Sequence, residues 1–257
     1  MTGLAVNGLA VIVPAYNEAA TIGATLDALA AQTDRDFRLI VVDNASTDGT
    51  VEVVRRFAAT APFPVDVVTE ATPGAGTAAD TGFRYAIGAG ATILARTDAD
   101  CLPAPDWIAV LRAYLNRGVD LVCGRSEPRR DEQPTWAERH VFPAVVRLAA
   151  TYGRYRAAHR RPEYRTPYVL VHGHNLAVTA DLYQRCGGTV REALEDGSED
   201  VTMLNRARRV TDRIVRAEDL VVQASLRRLR AWGARRTLLW YWDRRWRPPT
   251  SREVHVR

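Results

Sequence analysis

Two apolar runs, each followed by a polar loop and an amphipathic helix, stand back to back near the start of this chain. "LAVIVPAYNEAATIGATLDALAAQ" reads as a buried strand, Leu9 to Val13, then a loop, then a helix whose Ile22, Leu26 and Leu29 share one face. "FRLIVVDNASTDGTVEVVRRFAA" repeats the unit, with a strand ending near Val42, Thr47 or Asp48 as N-cap, and Val51, Val54 and Phe57 along the helix. "VDVVT" and "ATILART" supply a third and a fourth strand, the latter after the Gly-rich stretch "PGAGTAADTGFRYAIGAG". Strands that alternate with helices return to the same end of a sheet, so they pair in parallel and carry helices on both faces. The predicted class is therefore α/β, with a Rossmann-like, mostly parallel sheet.

Such sheets bind ligands at the carboxyl ends of their strands, and the polar residues of this chain collect there. Asn17 and Glu18 follow the first strand, Asp43 and Asn44 the second, Glu70 the third, and Asp98 and Asp100 the fourth. A carboxylate at the end of a buried strand needs a cation or hydrogen-bond donors. The spacing Asp98-Ala99-Asp100 lets one carboxylate reach a divalent cation while the other meets the cation's waters or a ligand hydroxyl, and Mg2+ or Mn2+ prefers such oxygen ligands. The plainer account is a turn with an Asp capping the helix of "PDWIAVLRAYL". In "EDGSEDVTMLNRARR", Ser198 as cap would put Glu199 and Asp200 in a first helical turn, where the dipole favours carboxylates; beside a metal crevice, Asp200 suits a general base.

"VIVPAYNEAATIGATLDAL", "LIVVDNASTDGT", "ARTDAD" and "SEDVTM", in that order, resemble the four signatures of family-2 glycosyltransferases, over about residues 9 to 210. The resemblance implies the GT-A fold and an inverting, metal-assisted transfer of a sugar from a nucleotide-diphosphate sugar, with UDP the expected nucleotide, to an acceptor hydroxyl. By the same resemblance Pro14, Ala15, Tyr16, Glu18 and Asp43 hold the nucleotide, Asp98 its ribose or the metal, Asp100 the metal, and Asp200 is the base, with Glu199 next in line. The cofactor implied is Mn2+ or Mg2+. Where relatives read A-R-N-x-G this chain has Ala78-Ala79-Asp80-Thr81-Gly82, so Asp80 is a candidate for adjusting donor choice. "VHGHNLAV" stands at an acceptor-side segment and offers His172 and His174.

After "DLVCGRSEP" the alternation weakens, and residues 126–170, rich in Arg and Pro, read as loops and short helices over the sheet's edge. One domain over residues 1–225 follows, with 1–125 as nucleotide-sugar half and 126–225 as acceptor half, then a basic aromatic tail over 226–257. Of the net charge of +5, residues 227–257 carry 10 Arg against Asp243 and Glu253, or +8, leaving −3 for the rest. A nucleic-acid-binding module would spread its basic surface through the domain, so that class is disfavoured. The tail suits three roles: Arg227 and Arg228 on a diphosphate, a peripheral contact with an anionic membrane, or a homo-oligomer contact through Trp232, Trp240 and Trp242. No apolar run reaches a membrane-spanning length and the N-terminus lacks a signal peptide's basic region, which places the chain in the cytoplasm. Cys101, Cys123 and Cys186 form no C-x-x-C pair and read as reduced packing residues. Two other readings stay open: a catalytically silent nucleotide-sugar binder, and a nucleotidyltransferase, which would show a Gly-rich basic phosphate loop that "PAYNEAA" lacks.

Overall fold

Successive residues of β1 (Gly8–Ala15) face opposite cores, as a strand buried on both sides requires. Ala10 and Ile12 pack with Ile40, Val42, Ala78 and Phe83, whereas Leu9, Val11 and Val13 pack with Leu26, Leu39, Val54 and Trp107. The computed structural model describes residues 8–155, 160–189, 191 and 199–241. Over them the alternation runs β1, α1 (Ile22–Ala30), β2 (Arg38–Asp43), α2 (Thr50–Ala58), β3 (Val65–Thr69), α3 (Ala75–Gly88) and β4 (Ala91–Arg96). There follow β5 (Leu102–Pro103), α4 (Trp107–Asn116), β6 (Leu121–Pro128), α5 (Phe142–Tyr155), β7 (Leu176–Thr179), α6 (Ala180–Arg185), α7 (Glu199–Val210), β8 (Ile214–Ala224) and α8 (Arg227–Tyr241).

The eight strands lie in the order β3-β2-β1-β4-β7-β6-β8-β5. β7 pairs antiparallel with β4 and β6, and β5 antiparallel with β8; the other pairings are parallel. The mixed α/β class and mostly parallel sheet predicted from the alternation are what the chain adopts. Helices α3, α6 and α7 cover one face and α1, α2 and α4 the other. Gly82 lets α3 lie close on the sheet: a Cβ there would come within 2.7 Å of Ile12 and 2.8 Å of Val42.

Three local expectations need correction. Residues 126–170 hold longer elements than the loops and short helices expected: β6 runs on to Pro128, and a π-helical turn (Ala137–Val141) leads into the 14-residue α5. Pro143 is tolerated because it sits in the first turn of α5, while its missing N–H leaves the carbonyl four residues back without the usual α-helical donor, next to where the helix widens. The N-cap of α2 is Gly49 rather than Thr47 or Asp48; Asp48 acts one residue earlier, its Oδ1 accepting the Thr50 N–H at 3.0 Å. The segment after residue 226 continues as α8, which kinks at Gly233 (φ 76°) and buries Leu226, Leu229 and Trp232 against the body. Ser198, the Trp240 side chain and residues 242–257, Trp242 among them, lie outside the described residues.

Candidate active site

The order of the strands reverses at β1: the chain leaves it for β2 and β3 on one side and returns to β4 on the other. A crevice opens beyond the carboxyl ends of strands at such a switch point. Here the loop after β1 meets the loop after β4. The first loop is held by Asn17, which adopts the left-handed conformation (φ 53°) that Asn tolerates better than most side chains. Its Oδ1 accepts the N–H groups of Thr47 at 2.7 Å and Asp48 at 3.2 Å, and its own N–H donates to Ser46 Oγ at 3.0 Å. Glu18 N–H donates to Thr50 Oγ1 at 2.8 Å, so the loops after β1 and β2 are fastened together.

The crevice is walled by Pro14, Ala15, Tyr16, Glu18 and Asn44 from the first two strand ends, by Asp98, Ala99 and Asp100 from the fourth, and by His174, Arg227 and Arg228 from the second half. Six of the residues selected from sequence as nucleotide or metal contacts, Pro14, Ala15, Tyr16, Glu18, Asp98 and Asp100, share that wall with Arg227 and Arg228, but Asp43 does not. Asp43 is buried beneath it, one Oδ accepting the Ser46 N–H at 3.2 Å. Asn44 faces the crevice instead, its amide tied to the carbonyls of Glu70 and Thr72 and to the Gly74 N–H. Asp80 is fully buried away from the crevice and binds Arg84, Tyr183 and Arg191, so it has no direct access to a donor.

Opposite charges meet at the floor. Arg227 pairs with both oxygens of Glu18 and sits 3.0 Å from Asp100 Oδ2, so the carboxylate seen as a metal ligand is ion-paired to an arginine. Beside it Arg96, 3 % exposed at the end of β4, donates from Nε to Asp98 Oδ1 at 3.1 Å and approaches Glu199 Oε1 at 3.7 Å. Burial alone would raise the Asp98 pKa; the Arg96 guanidinium, His174 and Arg228 outweigh it and hold the carboxyl below its ordinary range. Asp200 begins α7 with its neighbour Glu199, and its Oδ2 accepts the Gly173 N–H at 3.2 Å. It is not among the crevice-lining residues, but the Gly173 it holds lies between His172 and His174, which line the adjoining space.

That space is a second cavity of about 500 Å³ which shares His174, Ala224, Ser225 and Arg228 with the crevice. His172 and His174 stack with ring centres 5.2 Å apart, and His174 Nε2 shares a 2.9 Å hydrogen bond with Ser126 Oγ. Burial depresses both imidazole pKa values, with His172, facing His174 and Arg216, pushed down the further. Arg96 escaped the sequence reading, and Asn44 was read only as a polar strand end without a role; an Arg closing a buried strand two places before Asp98 is itself a sign of a paired charge.

A divalent ion fits this donor set only as an ion completed by its ligand. Asp98 and Asp100 offer hard carboxylate oxygens at one crevice, but among the described residues no group of three or more His, Cys, Asp or Glu converges to hold a metal. Mg2+ and Mn2+ bind in that manner, through one or two carboxylates plus substrate phosphates.

A mostly parallel sheet with a polar crevice at its switch point and carboxylates at the strand ends defines an α/β protein of the doubly wound class. The family model for glycosyl transferase family 2 matches residues 10–187, more than half of the chain, and the chain belongs to that family. It is 36 % identical over 135 residues to glycosyltransferase AglE of Haloferax volcanii, a match covering 51 % of this chain and 43 % of AglE. It is 33 % identical over 159 residues to an uncharacterised glycosyltransferase of Mycobacterium bovis, covering 62 % of this chain and 64 % of that protein. The matches thus span from under half to under two thirds of these relatives' lengths. Among solved structures, the mannosyltransferase PcManGT of Pyrobaculum calidifontis, in complex with GDP-Man and Mn2+, superposes with a TM-score of 0.65 at 28 % identity, covering 96 % of this chain and 68 % of that one. TarS of S. aureus, in complex with UDP-GlcNAc, superposes at 0.63 with 17 % identity over 85 % of this chain and 58 % of that one, a likeness of fold. The sheet, the crevice and these structures agree on the GT-A fold expected from the four motifs.

Proposed function

We propose that the protein is an inverting glycosyltransferase that moves a sugar from a nucleotide-diphosphate sugar to an acceptor hydroxyl, with residues 1–125 holding the donor and 126–225 the acceptor. The observation that carries the reading is the meeting of Pro14 to Glu18, Asp98, Asp100 and Arg227 in one crevice that opens onto a second cavity. Asp100, with Asp98 behind it, would hold Mn2+ or Mg2+, and such an ion when bound supplies charge neutralisation for the departing diphosphate. The crevice holds about 170 Å³, small against the usual 300–1,000 Å³ of ligand sites, and Arg227 occupies its floor. Donor entry therefore calls for Arg227 to exchange Asp100 and Glu18 for the diphosphate, a role for which its planar fork is suited.

Arg96 keeps Asp98 ionised, and Asp200 takes the proton of the acceptor hydroxyl as that oxygen bonds to the anomeric carbon and the carbon–diphosphate bond breaks. One displacement inverts the centre. The nucleotide in PcManGT carries guanine and that in TarS uracil, so both bases belong in the test. Calorimetric titration of UDP and GDP with Mn2+ should show metal-dependent binding of one of them by wild type and its loss in Asp100→Ala. Asp200→Asn should bind the same nucleotide as wild type while transfer falls at least about a hundredfold. Metal-dependent binding undiminished in Asp100→Ala, or wild-type transfer by Asp200→Asn, would remove the corresponding residue from its role.

A further inference from the structure

We infer that the second cavity binds an acceptor through a phosphate group. The inference rests on the transfer reading above and names the class of acceptor that reading leaves open. Six arginines line the cavity, Arg125, Arg130, Arg139, Arg147, Arg216 and Arg228, against one carboxylate, Glu127. They come from separate elements: β6 and the loop after it, the π turn, α5, β8 and α8. A charge run on one exposed helix would be an ordinary solvated face; six cations brought to one concavity from distant parts of the chain are not.

The local carboxylates neutralise only part of this charge. Glu127 pairs with Arg125 at 2.9 Å and reaches Arg130 at 3.8 Å, and Arg216 pairs with Glu218 at 3.0 Å. Among the described residues no carboxylate lies within ion-pair distance of Arg139, Arg147 or Arg228. Arg147 touches only the Pro143 carbonyl of its own helix, at 3.4 Å, and Arg228 stacks over Trp232 at 5.4 Å. Arg125 Nε is moreover buried without a hydrogen-bond partner, an unused donor at the cavity wall on a guanidinium whose far end pairs with Glu127. His172 and His174 line the same wall and can hydrogen-bond a ligand.

The remaining lining is apolar, with Phe142, Val146, Leu170, Leu226 and Leu229. A site with several unpaired guanidinium groups beside an apolar wall fits a multiply charged tetrahedral anion joined to a carbon skeleton. Arg228, which lines both spaces, stands where donor and acceptor phosphates would each be within the same positive field. A phosphate on a soluble acceptor and one on a lipid share this chemistry, and the apolar wall makes the two distinguishable by chain length.

The test uses the full chain with its donor crevice saturated by Mn2+ and whichever of UDP or GDP binds. Glycerol 3-phosphate and geranyl phosphate are titrated beside their uncharged counterparts, glycerol and geraniol, and beside succinate. Binding of either phosphate compound, weakened at least about tenfold in the double variant Arg139→Gln/Arg147→Gln and unmatched by the alcohols, is expected; tighter geranyl phosphate assigns a lipid source, tighter glycerol 3-phosphate a soluble one. The variant should bind the nucleotide as wild type does, which shows that it is folded. Absence of phosphate binding while the nucleotide binds, or succinate or geraniol binding as well as the phosphates, overturns this inference alone. Failure of both nucleotides to bind would instead bring down the transfer reading on which it rests.

Discussion

At the scale of single residues the site is a set of charges that have found partners inside the protein. Two arginines hold it together, and they predict different behaviour. Arg96 is buried with Asp98 and Glu199, and Asp98 ionises below its ordinary range because that cation, with His174 and Arg228, overcomes its burial. A carboxylate whose folded pKa is depressed adds stability above its unfolded value, 3.8, and loses it as pH falls through the folded value. Arg96→Met removes the chief charge that opposes burial, so the Asp98 pKa rises. The acid limb of Mn2+-dependent nucleotide binding should move up in pH accordingly, and an unmoved limb would assign Arg96 a packing role only. Arg227 gives the opposite kind of signal. Replacing it by Ala frees Asp100 and Glu18 of their cation, so Mn2+ alone should bind more tightly while nucleotide binding weakens by about 1.5–3 kcal/mol for each charged hydrogen bond lost. Calorimetry with the metal and then with the nucleotide separates those two signs, which a simply unfolded variant cannot produce. The carboxylates were legible in the sequence because they end apolar strands; the pairing of Glu18 and Asp100 with Arg227 was not, since α8 lies far from them in the chain, whereas Arg96 stands only two places before Asp98.

At the scale of elements a buried amide holds the second half of the sheet together. Asn175, 0 % exposed, donates to the carbonyls of Arg125 at 2.8 Å and Leu220 at 2.9 Å and accepts the Trp107 indole N–H at 2.9 Å. It therefore ties β6, β8 and α4 at the point where β6 shifts register, between Gly124 and Arg125. Asn175→Leu leaves three buried polar groups without that partner, at about 1–3 kcal/mol each, and should lower the denaturant midpoint sharply. Gly124→Ala should be costly for a related reason, because its Cβ would fall 2.3 Å from the Asn175 amide nitrogen. Chemical denaturation of both variants checks the assignment, and a midpoint within error of wild type for Asn175→Leu would refute it. The first half of the sheet was readable since each strand and helix there shows its own periodicity. Helix α5 was not, for Pro143 and the arginines interrupt the apolar spacing of Phe142 and Val146.

At the scale of the whole molecule, the basic tail inferred from charge arithmetic divides into two parts. Its first part is α8, which buries Leu226, Leu229 and Trp232, contributes Arg227 and Arg228 to the crevice, and supplies Leu226, Leu229 and Thr237 to the arginine-lined cavity. Its second part, residues 242–257, carries five Arg against Asp243 and Glu253, a formal +3. Among the described residues no helix is long and apolar enough to cross a membrane. Truncation after Ala224 removes a wall from both spaces and strips a buried apolar face, and it should lower both melting temperature and nucleotide affinity. Truncation after Tyr241 keeps every described contact of α8 and should leave both unchanged. The two outcomes separate the roles of the tail: if nucleotide affinity falls only with the shorter chain, α8 belongs to the site and the last residues do not. Sedimentation of both chains with anionic vesicles at low and high salt then addresses the last residues directly, because attraction to a charged surface fades as the Debye length shrinks from about 30 Å at 0.01 M to about 8 Å at 0.15 M. Salt-sensitive sedimentation by the full chain that disappears on truncation after Tyr241 assigns residues 242–257 to a membrane surface. Equal sedimentation of the full and truncated chains removes that role and leaves the arginines of α5 and the cavity mouth as the basic surface to test next.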